Sequence, residues 1–496
     1  MTEPPRRPEA LPSAVAAAVV FGASAAVLIL EILALRLLAP YVGVTLETST
    51  TVIGVVLAGI ATGAALGGRL ADLVDARALL AWALIVGGVL AMLTVPVVRL
   101  LGRAMEGGGD LAALPVGLFA LFPPAAVLSV VTPATAKLQL SSLANTGSVV
   151  GRLSAWATSG ALVGTFGAGF LLVPLLPTSE TLLGVGAALV VAGTAAAARH
   201  RQLGRRGRIV VLILVVTTVA ATRALGQPCD SESIYFCARV LVDDHRSSGR
   251  LLVLDDLTHS YVDLDNPRYL GLEYSRWVAP VLDHLPAAGD RLRAVFLGAG
   301  GLTLPRYLLA GRPRAVAHVL EVDKKLIDLD RARLGFRDRP GIKIRTGDAR
   351  VTLRDERDSS DDVVVGDAFG GRAVPWHLTT EEFLTDVRRV LRPGGVYVMN
   401  VIDLGPLNFA RAEAATLLSV FRDVALVARA DGNREPRGGN LVLLASDRPL
   451  LRALLPAQRG IVVLDRARVR AFAGDSEPLT DDHAPADQLL TPGARN

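Results

Sequence analysis

Apolar positions run in long unbroken stretches through residues 1–228, whereas from Ser231 onward they alternate with polar ones at short periods. A bilayer core of about 30 Å needs roughly 20 apolar residues in a helix. Seven stretches approach that length: near Ala14 to Leu38, Thr51 to Gly68, Leu79 to Leu101, Leu111 to Val131, Leu153 to Leu176, Thr181 to Ala198 and Ile209 to Leu225. The fourth contains Pro123 and Pro124, which lack a backbone N–H, so a break or kink is expected there; the seventh is short because Arg223 interrupts its end. Gly59, Gly63, Gly67 and Gly68 suit close helix packing. Glu31, Arg36, Lys137 and Gln139 stand at or near membrane depth, where a polar group pairs, snorkels or lines a cavity. They read either as a polar path or small-molecule site, or as Glu31 pairing with a neighbouring helix while Arg36 snorkels. The segment Thr2 to Ser13, with Arg6 and Arg7, reads as a retained tail, since the first apolar run is too long for a signal-peptide core.

Past Ser231 the alternation predicts strands over Tyr235 to Val242, Arg250 to Asp255 and His259 to Leu264, a small antiparallel β unit, then a helix over Tyr269 to Leu285. A strand over Leu292 to Leu297 runs straight into Gly298-Ala299-Gly300-Gly301 and a helical stretch around Leu304 to Leu309. That is the form of the first turn of a doubly wound sheet, where glycines let a ligand approach the backbone. The next strand, Ala315 to Leu320, ends in Glu321-Val322-Asp323, and an acid about 20 residues past the glycines is placed to accept both hydroxyls of a ribose. Strands over Ile342 to Arg345, Asp362 to Val365 and Gly395 to Val401 end in Gly347-Asp348-Ala349, Asp367 and Asp403, acids expected to gather in the crevice. Thr303 stands where a third glycine would complete a dinucleotide fingerprint and no P-loop lysine follows, which favours an adenosylmethionine-type ligand without pyrophosphate. The expected architecture is an N-terminal α-helical multi-pass membrane bundle (1–228), a small β unit (229–268) and a C-terminal α/β Rossmann-like nucleoside-binding domain (269–496).

Charge follows the same division. Residues 1–228 hold 15 Lys and Arg and 9 Asp and Glu, leaving 37 and 38 of the totals of 52 and 47 for the rest. The basic excess therefore sits in loops between apolar runs, and no nucleic-acid partner is expected. One set of alternate loops carries eleven Lys and Arg, namely Arg6, Arg7, Arg69, Arg77, Lys137, Arg152, Arg199, Arg201, Arg205, Arg206 and Arg208, and the other carries Arg99 and Arg103. Positive loops stay inside, so the N-terminus is expected in the cytoplasm and seven crossings would put the chain after Leu225 outside. Cys229 and Cys237, the only cysteines, read either as a disulfide of an oxidising compartment or as buried thiols. Six crossings, with the Ile209 segment lying at the interface, would instead return the domain to the cytoplasm, where adenosylmethionine is made. A multi-pass protein of the cell membrane is expected in either case.

From Ser231 to about Asp447 the sequence resembles the spermidine synthases, or polyamine aminopropyltransferases, and the whole chain resembles their membrane-fused bacterial relatives. The resemblance lies in Gly249-Arg-Leu-Leu-Val-Leu-Asp255, the glycine turn with Leu304-Pro-Arg306, Glu321-Val-Asp323, Gly347-Asp-Ala349, Val365-Gly-Asp-Ala-Phe369, Pro375-Trp-His-Leu-Thr-Thr380 and Leu479-Thr-Asp-Asp-His-Ala-Pro485. It implies that Gly298, Gly300, Gly301, Glu321 and Asp323 line the donor site, Glu321 holding the ribose of decarboxylated adenosylmethionine. Asp348 and Ala349 would hold the adenine, and Asp367 would accept a proton from the amine nucleophile. His259 and Pro375 fall at substrate positions, and Tyr269 and Tyr274 would supply an aromatic wall for a cationic acceptor. Donor and amine acceptor would be co-substrates, with no metal and no tightly bound cofactor; a homo-oligomer is left open.

Departures from the family pattern bear on the substrate. Gly301 stands where the family's glycine turn has an amine-binding Asp, Gly370 replaces a second acid with Arg372 close by, and Phe236 replaces a glutamine of the first strand. Fewer carboxylates weaken the case for a polycationic acceptor, because a desolvated dication needs compensating charge, which Asp481 and Asp482 could supply. The alternatives are an adenosylmethionine-dependent methyltransferase on the same fold, or a non-catalytic nucleoside-binding or transport-related membrane protein.

Overall fold

The seven apolar stretches form seven helices long and apolar enough to cross a membrane, over Ser13–Val42, Glu47–Leu73, Ala76–Ala104, Ala113–Gln139, Thr146–Leu175, Thr178–Arg199 and Arg205–Ala224. The structure, a computed structural model, describes residues 11–105, 112–140, 145–200, 202–287, 291–298, 300–370 and 374–490; Arg6, Arg7, Arg201, Ala299 and Arg372 lie outside them. The chain divides into two units, one through Cys237 and one from Ala238.

In the first unit the fourth span is broken at its prolines into helices over Ala113–Ala120, Phe122–Ser129 and Val131–Gln139. Pro124 has no N–H to give the carbonyl of Ala120, and the Thr94 hydroxyl donates to that oxygen instead, at 3.0 Å. Arg36 does not snorkel. Its guanidinium donates to the carbonyls of Ser233 and Ile234 and to Thr178, and pairs with Glu232, whose carboxylate also accepts the Thr178 N–H at the start of the sixth span. Arg99, 2% exposed, donates to the Thr222 carbonyl and the Ser179 hydroxyl. Lys137 pairs with Asp72, and Gln139 is held between the Leu11 carbonyl and Arg152. Cys229 and Cys237 form a disulfide.

The second unit begins one residue into the first strand of an antiparallel meander, Cys237–Asp243, Arg246–Leu254 and Leu257–Asp263, here β1, β2 and β3. An eight-stranded sheet follows, built from β4 (Arg293–Leu297), β5 (Val316–Glu321), β6 (Ile342–Thr346), β7 (Asp361–Gly366), β8 (Leu391–Asp403), β9 (Asp423–Ala430), β10 (Pro436–Ser446) and β11 (Ile461–Leu464). Its order is β11-β9-β10-β8-β7-β4-β5-β6. The five strands from β6 to β8 are parallel, and β10, β9 and β11 are added antiparallel. Parallel strands are covered on both faces, which is why β4 and β7 read as continuous apolar runs. Val295, Leu297 and Val364 pack into one core, and Ala294, Phe296, Val363 and Val365 into the other. Helix Glu273–His284 buries Tyr274, Trp277, Val278, Val281 and Leu282, spaced along one face. The order reverses direction between β4 and β7, the switch point at which an open α/β sheet leaves a crevice beyond its carboxyl ends.

Three of the four glycines singled out in the second span are packing contacts. A Cβ at Gly63 would stand 1.9 Å from the Ala126 carbonyl oxygen, and those at Gly59 and Gly67 would meet Ala125 and Val130, whereas one at Gly68 meets nothing within 4 Å. Gly63→Leu is expected to lower the stability of the full chain in detergent by on the order of 1 to 3 kcal/mol, through overpacking against backbone. Gly68→Leu should leave the thermal midpoint nearly unchanged, and equal effects of the two substitutions would contradict this helix contact.

Candidate active site

The carboxyl ends of β4, β5, β6 and β7 are aligned by backbone hydrogen bonds made one residue past the ladder. Gly298 N–H donates to the Leu320 carbonyl (2.8 Å), Gly347 N–H to Glu321 (2.9 Å) and Asp367 N–H to Leu297 (3.0 Å). This register sets Gly298, Glu321, Asp348 and Asp367 along one edge. Gly298 has φ +87°, and a Cβ there would stand 2.6 Å from the Asp367 carbonyl oxygen, so only glycine lets the turn pass this close. Gly300 (φ +47°) and Gly301 lie against β3: the Gly301 N–H donates to the Ser260 hydroxyl at 3.0 Å, and a Cβ at Gly301 would meet Val262 at 2.7 Å.

Asp367 is held at both carboxylate oxygens. The Tyr274 hydroxyl donates to Oδ2 at 2.7 Å and the Asn400 amide to Oδ1 at 2.8 Å. Desolvation pushes its pKa up to about 6, against the lowering effect of these two donors. Burial and the adjacent carboxylate in turn hold the Tyr274 phenol well above its ordinary range. His259 lies beyond Tyr274, its carbonyl 3.5 Å from the hydroxyl and its ring edge-on to Phe369 at 6.2 Å; burial lowers its pKa to about 4, so the ring is neutral at pH 7.

Glu321 and Asp323 are 5% and 4% exposed. Glu321 Oε1 accepts the Asp323 N–H at 2.8 Å, while Asp323 accepts the N–H groups of Lys325 and Leu326 and so caps helix Lys324–Arg333. Behind them Asp330 is fully buried, and burial together with the Glu321 charge drives its pKa far up. Asp348 caps the short helix Ala349–Leu353 through Oδ1, and its Oδ2 lies 2.9 Å from His377 Nε2; Ala349 is buried beside it.

Not every expected residue is brought to this edge with a free polar group. Asp403 is 1% exposed and accepts the Ala410 N–H, tying down the start of helix Asn408–Val420. Asp481 is neutralised by Arg350, which meets both its oxygens at 2.7 and 2.6 Å, and accepts from Thr380; the guanidinium holds its carboxyl low. Tyr269 carries the Arg246 guanidinium over its ring at 4.1 Å and packs on Tyr261, whereas Tyr274 points at Asp367. Pro375 precedes the single turn Trp376–Leu378 that presents His377 to Asp348. Asn400, Ser260 and His377 were not singled out by sequence reasoning. The signal for Asn400 is one polar residue inside the apolar run of β8, where it is 3% exposed. Among the described residues no group of three or more potential metal ligands is found.

No protein-family profile matches the chain. It is 30% identical over 131 residues to the polyamine aminopropyltransferase of Vibrio vulnificus, spanning 26% of this chain and 43% of that protein. It is 35% identical over 139 residues to a probable polyamine aminopropyl transferase of Bifidobacterium longum, spanning 27% of this chain and 30% of that one. The chain thus spans less than half the length of either curated relative. A probable spermidine synthase of known structure from Corynebacterium glutamicum is 30% identical, with 50% of this chain and 94% of that one covered at a TM-score of 0.46. On these sequence relationships the C-terminal half of the chain is spermidine synthase-like and similar to polyamine aminopropyltransferases.

Proposed function

We propose that the protein is a membrane-anchored transferase that moves an aminopropyl group from decarboxylated S-adenosylmethionine to an amine acceptor such as putrescine. The observation that carries this reading is the desolvated Asp367 carboxylate beside the glycine turn, held by Tyr274 and Asn400. The amine nitrogen attacks the carbon bonded to the donor's sulfonium; the N–C bond forms as the C–S bond breaks, and sulfur leaves as a neutral thioether. The proton lost by nitrogen goes to Asp367, whose raised pKa makes it a stronger base than an exposed carboxylate while leaving it ionised at neutral pH. In this reading Glu321 accepts the ribose hydroxyls, Asp348 and Ala349 border the adenine, and the turn of Gly298, Gly300 and Gly301 lets the donor approach the backbone. Asp323 supports Glu321 from its capping position, and His259, Tyr269, Tyr274 and Pro375 form the acceptor side.

Gly301 supports a second reading, methyl transfer from S-adenosylmethionine. Among the described residues the turn offers no carboxylate for a donor ammonium and meets the Ser260 hydroxyl, Val262 and Leu334 there, so a donor that keeps its own carboxylate is not repelled. Calorimetry of the full chain in detergent with each donor, followed by mass analysis of products with putrescine, distinguishes the two. Binding of decarboxylated donor with aminopropylated product supports the first reading, and binding of neither donor overturns both.

The anchoring bundle and the disulfide favour seven crossings, with the chain after Leu225 on the outer face, where a donor made in the cytoplasm would have to be exported. In intact cells a membrane-impermeant maleimide should label Cys229 and Cys237 only after reduction. Labelling that requires permeabilised membranes would reverse this placement.

Asp367→Asn is expected to lower turnover on the order of 10²- to 10⁴-fold with donor binding retained. In the wild-type protein kcat/KM should fall about tenfold per pH unit below about 6, as Asp367 becomes protonated, in addition to the acceptor amine's own ionisation. Unchanged turnover in the variant would remove Asp367 from the chemistry. Glu321→Gln should weaken donor binding by about 1 to 3 kcal/mol, read by calorimetry, since a charged acceptor of the ribose hydroxyls is lost.

A further inference from the structure

We propose that Asn440 is a positioning residue for Asp367, acting through the Asn400 side chain. Asn400 on β8 is paired in register with Val442 of β10, so Asn440, two residues earlier, lies diagonally from it on the same sheet face. The Asn440 amide Nδ2 donates to Asn400 Oδ1 at 3.1 Å, and Asn400 Nδ2 donates to Asp367 Oδ1 at 2.8 Å. The direction of this chain follows from chemistry: an ionised carboxylate only accepts, so Asn400 must turn its NH₂ towards Asp367 and its carbonyl away. At 3% exposure that carbonyl cannot rely on water, and Asn440 supplies its donor.

Without that donor the opposite amide orientation becomes competitive. A flipped Asn400 presents its oxygen to Asp367, which can meet it only by carrying a proton. Asn440 therefore favours the ionised, proton-accepting form of Asp367 although it does not touch it.

Among the described residues, the influences on the Asp367 titration are burial and its two donors, Asn400 and Tyr274. On the flanking helix, the Tyr274 phenol is held far above its ordinary range by burial and by Asp367 itself. On β3, His259 is neutral above about pH 4. On β8, Tyr397, whose hydroxyl lies against Gly366, is raised by burial and by Glu413 behind it, and burial raises Glu413 well above the usual carboxylate range.

The inference depends on the reading of Asp367 as proton acceptor for its catalytic consequence only, and the test separates the two. The thermal midpoint of the full chain in detergent is followed from pH 4 to 8 for wild type, Asn440→Leu, Asp367→Asn and the double variant. Asp367 has a folded pKa of about 6, above the roughly 3.9 of an unfolded Asp, so its contribution to stability is full below about pH 4 and lost as pH rises through about 6. In Asn440→Leu that loss should extend upward by about 0.5 to 1 pH unit, and the shift should vanish when Asp367 is Asn. If transfer activity is measurable, the acid limb of kcat/KM should move by the same amount, with donor affinity unchanged. A titration that stays in place in Asn440→Leu, or a shift that persists in the double variant, overturns the role of Asn440. Absence of transfer with any amine would overturn the proposed function while the stability titration still decides this inference.

Discussion

A carboxylate taken out of water needs hydrogen-bond donors on its oxygens, and the second unit is organised around meeting that need at Asp367. The donors come from separate elements: Tyr274 from the helix that follows the β meander, and Asn400 from β8 on the sheet itself. Tyr274 reaches Asp367 only because Trp277, Val278, Val281 and Leu282 bury the same helix face in the core beside the sheet. Asp367 is placed in turn by the backbone bond from its N–H to Leu297, and the chain can pass alongside because Gly298 has no Cβ. Core packing, sheet register and one glycine thus converge on a single desolvated carboxylate.

The parallel sheet imposes a second economy. Each strand ends where a helix begins, so acids at the strand ends face both a ligand crevice and unsatisfied helix N–H groups. Asp323 and Asp348 cap the helices that follow them, and Asp403 accepts the Ala410 N–H in the same manner. Asp348 retains a second oxygen directed at His377, whereas Asp403 is enclosed near its helix. Burial rather than the capping bond separates the two, since Asp403 also keeps one oxygen without a hydrogen-bond partner. Asp481 is removed from the pool by a different route, the two-pronged contact with Arg350.

In the first unit the same accounting applies to buried polar groups. The carbonyl orphaned by Pro124 is taken by Thr94, and the two terminal nitrogens of the buried Arg99 donate to a carbonyl and a hydroxyl. Arg36, Glu232 and Thr178 tie the disulfide-closed segment to the start of the sixth span, so the charge that looked isolated near the end of the first helix serves as a fastener.

The sequence alone determined the features that depend on local pattern. Run length separated long apolar helices from sheet, the prolines marked the broken fourth helix, and strand, glycine turn and terminal acid recurred closely enough to place the ends of β4, β5, β6 and β7. Glu321, Asp348 and Asp367 were legible because strand ends are local events. What only tertiary structure decided were partnerships between residues distant in sequence. Asn440 meets Asn400, 40 residues away, through antiparallel register, and Arg350 meets Asp481 across 131 residues. Which of two tyrosines turns towards Asp367 was settled by helix packing. Spacing along a chain constrains periodicity and turns, but hydrogen-bond partners across a core are chosen by register and desolvation, which exist only once the strands are assembled.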